Sequence, residues 1–236
     1  MSIPVLRSTL DVPFECAFTK AASMNSRPTY ELPPVTTLQG MLYAALGRPS
    51  LLLQAGRGRT MNKSTFDAER EFRNYVQEEC RFGIRILESG TTYEGLRKLH
   101  KKQTSKEEQE FLTYVTNVET LISPTYRMYV AGPEDLLDTF EGALNDPERL
   151  LYLGRSDDLV DIYDIGQTTA EHVEETASLD CAVPGPGETP TMLPVEPDTK
   201  IGRRKQPSRV ATVAAEGGKV DEYYETPDGD RFAFLT

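Results

Sequence analysis

The segment Arg27–Pro49, R-P-T-Y-E-L-P-P-V-T-T-L-Q-G-M-L-Y-A-A-L-G-R-P, constrains the possible folds more than any other part of the chain. Pro33 and Pro34 fix their own φ and push the residue before each toward extended backbone. A helix is therefore expected to begin immediately after them. Thr36 followed three residues later by Gln39 fits a capping box. Leu38, Met41, Leu42, Ala45 and Leu46 then form one apolar stripe that needs a sheet or a second helix to cover it. Gly47 and Pro49 close the helix. This places Arg27, Thr29, Tyr30, Thr36 and Thr37 near the positive end of the helix dipole, where side chains and free N–H groups could receive a phosphate. The same pattern also suits a capped core helix with a Pro-rich approach.

With 236 residues the chain can bury a real core. It has no apolar run of membrane-spanning length, and M-S-I-P-V-L-R reads as a strand rather than a signal peptide. Cys16, Cys80 and Cys181 stand far apart without metal-ligand pairing, which points to reduced, half-buried thiols in a cytoplasmic protein. We expect no metal and no cofactor. The net charge of −11 argues at first against a polyanionic partner. It is unevenly spread, however. Met1–Lys63 holds seven basic residues, Lys20, Arg27, Arg57 and Arg59 among them, against three acids, whereas Glu134–Asp198 holds seventeen acids against Arg149 and Arg155. A basic half beside an acidic half permits a local polyanion site. A solvated acidic face, or adaptation to a salty cytoplasm, would give the same asymmetry.

Along the chain, Ile3–Leu10 reads as a strand, and Leu51–Ser64 as a mobile basic loop without a phosphate-loop ending. Arg81–Leu87 alternates as a second strand with Phe82, Ile84 and Ile86 on one face. Leu96–Lys106 gathers Arg97, Lys98, Lys101, Lys102, Lys106 and His100 with no acid among them. That run is either a solvated loop tip or a functional excursion, as a long hairpin or helical thumb. Strand chemistry returns at Val118–Val130, with Tyr126, Met128 and Val130 opposite Thr125, Arg127 and Tyr129. A second helix follows, with Pro133 at its first position and Leu136, Leu137, Phe140 and Leu144 as its stripe. Leu150–Ile165 reads as a strand, a tight glycine turn and another strand. The order is that of an α+β, ferredoxin-like domain over residues 1–166, with an insertion at about 89–120 between its second and third strands. Residues 167–236 read as an acidic Pro-rich connection, Thr168–Pro197, and a small strand-rich extension ending in F-A-F-L.

The runs T-Y-E-L-P-P-V-T-T-L-Q-G-M-L-Y-A-A-L-G, S-P-T-Y-R-M-Y-V and N-D-P-E-R-L-L-Y-L-G-R-S-D-D-L-V resemble, in order and spacing over Ile3–Ile165, the CRISPR-associated RAMP subunit family called Cas-five. The resemblance implies a ferredoxin-like core with a projecting thumb, placed at one end of the type I Cascade complex. There it caps the 5′ handle of the guide RNA beside the terminal backbone RAMP subunit and the large PAM-reading subunit, meeting target DNA only indirectly. Carried onto this chain, the candidate handle contacts are Arg27, Thr29, Tyr30, Thr36 and Thr37 with the glycine turn Gly154, Arg155 and Ser156. Arg97–Lys106 becomes the candidate thumb. The residue types suit a single-stranded RNA, with Tyr30 and Tyr93 available for base stacking and cations such as Lys20, Arg57 and Arg59 for phosphates.

Two other readings stay open. One subtype of the family cuts precursor guide RNA without metal, and His100 beside Lys101, with Tyr43 or Tyr30 as a more distant partner, could supply acid–base groups. A structural adaptor could instead dock a basic neighbour on its acidic face. No Ser-His-Asp order, paired-carboxylate motif or metal cluster stands out, and the chain has two histidines.

Overall fold

A computed structural model describes residues 1–20, 26–49, 62–102, 111–185, 190–196, 209–214 and 218–236; for 98–102, 111–114, 190, 196 and 209–211 it describes the backbone alone. The fold is mixed α/β, mostly strand. In chain order, β1 is Ser2–Asp11, β2 Glu15–Cys16, β3 Phe18–Thr19, β4 Ser26–Arg27 and β5 Thr29–Tyr30. Two helices follow, α1 Val35–Ala45 and α2 Lys63–Glu79. Next come β6 Arg81–Glu88, β7 Thr91–Lys102, β8 Phe111–Ile122, β9 Thr125–Ala131, the helix α3 Glu134–Asn145 and β10 Asp161–Val173. The remainder is strand: β11 Ala177–Leu179, β12 Val183–Pro184, β13 Pro190–Glu196, β14 Arg209–Ala214, β15 Gly218–Val220, β16 Tyr223–Glu225 and β17 Arg231–Phe232.

The main sheet runs β17-β16-β10-β1-β9-β6 and is antiparallel throughout. Within it, strand–helix–strand–strand–helix–strand, formed by β1, α1, β6, β9, α3 and β10, places its four strands in the order fourth, first, third, second. One sheet face is apolar because β1, β6 and β9 alternate: Leu6, Leu10, Phe82, Ile84, Tyr126, Met128 and Val130 pack against Leu38, Met41, Leu42, Leu137 and Phe140. The opposite face is covered by the C-terminal segment. There Tyr129 stacks on Phe232, with ring centroids 4.0 Å apart. The Leu235 N–H donates to the Phe82 carbonyl at 2.7 Å, so the last residues cross back to β6. On this face Asp230 takes hydrogen bonds from Arg85, Arg127 and the Tyr129 hydroxyl at 3.0, 3.1 and 3.1 Å.

Four local expectations are corrected. The capping box at Thr36 and Gln39 does not form. Pro34 is the N-cap of α1, without a side-chain cap, and its carbonyl receives Thr37 N–H at 2.8 Å. With Val35 already buried in the first turn, Thr36 lies inside the helix, and the Gln39 side chain is buried rather than reaching back. Pro133 likewise caps α3 from outside instead of opening it. The 17-residue α2 was not anticipated, and it takes in Ser64, read above as loop. Thr168–Pro197 is not a loose connection either. β10 continues to Val173, paired with β1 as far as Ser2 and with β16, and β11, β12 and β13 follow. β10 beyond Gly166 is largely polar, and β11 to β13 are short or interrupted by proline, yet each has backbone partners, which the side-chain pattern does not reveal.

Candidate nucleic-acid interface

Between β6 and β9 the chain leaves the main sheet as a long hairpin, pairing residue for residue from Thr91↔Ile122 to Lys102↔Phe111. Gly90 starts it at φ +69, and a Cβ there would meet the Ile122 carbonyl at 2.6 Å, so the tight approach needs glycine. The basic run is therefore strand rather than loop tip as far as Lys102. Arg97, Lys98, His100, Lys101 and Lys102 pair with Thr116, Val115, Thr113, Leu112 and Phe111. Lys106, Arg57 and Arg59 lie outside the described residues.

The root of the hairpin is fastened by carboxylates. The Arg97 guanidinium is hydrogen-bonded to Glu15 in β2, and Arg155 reaches the same carboxylate at 3.5 Å. Arg97 first, then the charge of Arg155, holds the Glu15 carboxyl below the usual carboxylate range. Asp158, 1% exposed, accepts from the backbone N–H of Ala17 and Arg155 at 3.0 and 2.9 Å and from the Arg155 side chain at 2.7 Å. Gly154 has φ +116, and a Cβ on it would meet Asp158 Oδ2 at 2.9 Å and the Ala17 carbonyl at 3.0 Å. Ser156 is exposed beside this turn.

One residue further on, Phe18 N–H donates to Thr29 Oγ1 at 2.8 Å, and Thr29 N–H donates to Glu119 Oε2 in β8 at 3.0 Å. Thr29 is buried with its hydroxyl committed, so it supports the root from within. Arg27 pairs in parallel with Val118. Lys20 Nζ sits 5.3 Å from the centroid of the half-buried Tyr30 ring, and burial raises the Tyr30 phenol. Lys20, Arg27, Thr29, Tyr30, Arg97, Gly154, Arg155 and Ser156 thus gather around the hairpin root, although they come from distant parts of the chain. Tyr93 is exposed, its ring lying over Gly95.

Thr36 and Thr37 are half-exposed in the first turn of α1. Tyr43 is buried between α1 and α2 with Arg73 stacked over its ring at 4.2 Å, and burial drives its phenol up. Sequence reasoning missed the three carboxylates Glu15, Glu119 and Asp158 that build the root. No local pattern links Glu15 to an arginine 140 residues away.

The model of the family described as CRISPR-associated protein (Cas_Cas5) matches residues 5–223. The chain belongs to the Cas_Cas5 family. Among solved structures it is similar to a chain titled "CRISPR RNA-guided surveillance complex", at 18% identity and TM-score 0.49, covering 93% of this chain and 91% of that one. It is also similar to "Crystal structure of a CRISPR protein from Archaeoglobus fulgidus", at 14% identity and TM-score 0.46, covering 98% and 100%. No curated protein sequence matches significantly. In Cas_Cas5 terms, the matched stretch takes in the complete hairpin, its carboxylate-fastened root and every strand from β6 to β15.

Proposed function

We propose that this Cas_Cas5 protein is a subunit of a type I CRISPR effector complex that binds and caps the 5′ handle of the guide RNA and bridges the RNA backbone subunits to the large PAM-reading subunit. In this reading the four-strand core is a ferredoxin-like RAMP domain and the β7–β8 hairpin is its thumb. The carrying observation is the basic stretch Arg97–Lys102 on a hairpin inserted between the second and third core strands, in a chain whose overall net charge is −11. Because Arg97 and Arg155 are held by Glu15 and Asp158, they brace the root. Phosphate contact falls to Lys98, Lys101 and Lys102 farther along β7, with Lys20, Tyr30 and Tyr93 offering a cation and two rings for unstacked bases near the root.

The reading is non-catalytic. Tyr43, one of the two tyrosines considered as a partner for His100 and Lys101, is buried under Arg73, and Tyr30 sits at the root with Lys20 against its ring, which favours a binding role for the histidine. The test is incubation with cognate repeat RNA in EDTA, following retention and cleavage. Salt-sensitive retention of intact RNA, lost in Lys98→Ala/Lys101→Ala/Lys102→Ala, supports capping. Specific cleavage abolished by His100→Ala overturns it in favour of a processing nuclease.

A further inference from the structure

The turn that carries Arg155 also has an outer side. Residues 150–161 fold back on themselves through the Tyr152–Leu159 bridge, with Leu153 N–H donating to Asp158 and Val160 N–H to Leu151. Alternation is complete: Leu151, Leu153, Asp158 and Val160 are buried, whereas Leu150, Tyr152 and Leu159 face out at 75%, 40% and 37% exposure. Tyr163, four residues beyond Leu159 and of the same parity, is 47% exposed. The solvent side of a surface hairpin is ordinarily polar. Here four large apolar side chains share it, which marks an interaction site.

Its rim is acidic. Asp157 is 70% exposed and Asp161 lies between Leu159 and Tyr163, while Asp164, just beyond, is 54% exposed and within 3.7 Å of Arg127. Arg155 is held chiefly by Asp158 and Glu15, with Asp157 farther off at 4.0 Å, and Arg149, just before the segment, donates to the Gly47 carbonyl at 2.6 Å. Such a surface repels phosphates and complements cations.

We propose that the outer side of residues 150–163 is a docking surface for a protein whose contact face has an apolar centre and a Lys/Arg rim, on the other side of the same turn from the RNA-facing root. The inference rests on the reading of this chain as a subunit of an assembly and specifies where and how it holds a protein neighbour. A short apolar centre ringed by charge gives affinity from the first and orientation from the second.

The test uses the full chain, without RNA, against the purified backbone RAMP subunit and the purified large subunit of the same complex, each immobilised in turn. Wild type should bind one of them, more weakly at high salt. Leu150→Ser/Leu159→Ser should weaken binding by about tenfold or more at unchanged Tm. Asp157→Lys/Asp161→Lys should weaken it similarly and flatten the salt dependence. Wild-type affinity in either variant, binding to neither subunit, or self-association that Leu150→Ser/Leu159→Ser disrupts would each overturn the proposal. Handle RNA binding, measured in parallel, separates the two readings. If RNA is retained while no subunit binds, only the docking surface fails; if a subunit binds through this face while RNA is ignored, only the capping reading fails.

Discussion

Replacing Asp158 by alanine should loosen the hairpin root more than any other single change there. The carboxylate accepts the N–H of Ala17, itself 3% exposed, and that donor would be left buried and unpaired at a cost of about 1–3 kcal/mol. Arg155 would lose its nearest counter-charge. Stranding a buried ion costs about 3–5 kcal/mol, but Arg155 is 24% exposed and keeps Glu15 at 3.5 Å and Asp157 at 4.0 Å, so only a fraction of that applies. Together the loss comes to about 3 kcal/mol, or roughly 6–12 °C in Tm for a chain of this size. With no tryptophan in the chain, urea unfolding followed by far-UV circular dichroism is the direct assay. Asp158→Asn keeps an acceptor but not the charge and should lose about half as much. A Tm within 2 °C of wild type for Asp158→Ala, on the order of 0.5 kcal/mol, would refute the idea that this carboxylate organises the root.

Other consequences follow from the same geometry. Glu15 has its folded pKa depressed, so its contribution is present above the unfolded value of about 4.3 and lost as pH falls through the lower folded value. The Tm gap between wild type and Glu15→Gln should therefore be open at neutral pH and close on acidification below about pH 4; a gap independent of pH would contradict the Arg97 pairing. Tyr43→Phe should raise Tm, because the buried hydroxyl has no partner and its removal is worth about 1 kcal/mol; destabilisation would mean that the hydroxyl is hydrogen-bonded. Gly83→Ala would put a Cβ 2.9 Å from the Ala233 carbonyl and 3.1 Å from the Phe232 ring. It should cost about 1–3 kcal/mol and expose the C-terminal segment to carboxypeptidase, whereas resistance equal to wild type would argue against the close packing of that segment on β6. Burial pushes the thiols of Cys16, Cys80 and Cys181 up to about 12, so native protein should resist iodoacetamide by intact mass until urea is added.

The parts of the fold that were legible are those whose apolar residues keep a clear period. In β1, β6 and β9 the apolar residues recur every second position, and in α1 and α3 at helical spacing, so type and order could be read directly. α2 escaped because it docks mainly through polar groups: Arg48 is paired with Glu69 and stacked on Phe72 at 3.5 Å, and Arg73 covers Tyr43. Its apolar signal is reduced to Phe66, Phe72 and Val76, although Asn62, which accepts the Thr65 N–H, was a readable N-cap. β10 beyond Gly166 escaped for the opposite reason, since Ala170 alone is buried there and pairing on both edges does the work. Of the candidate site, the individual cations were visible, but their state was not. Whether an arginine is free or held depends on a carboxylate that folding brings from far along the chain, as with Arg97, Arg155 and Glu15.

The most direct test of the central claim is the salt dependence of handle RNA affinity for wild type and for Lys98→Ala/Lys101→Ala/Lys102→Ala, titrated in EDTA. If the three lysines each contact a phosphate, the slope of log affinity against log salt should fall by about 2 in magnitude, at about 0.7 per single-strand contact. An unchanged slope with unchanged affinity would contradict a basic hairpin that caps the RNA.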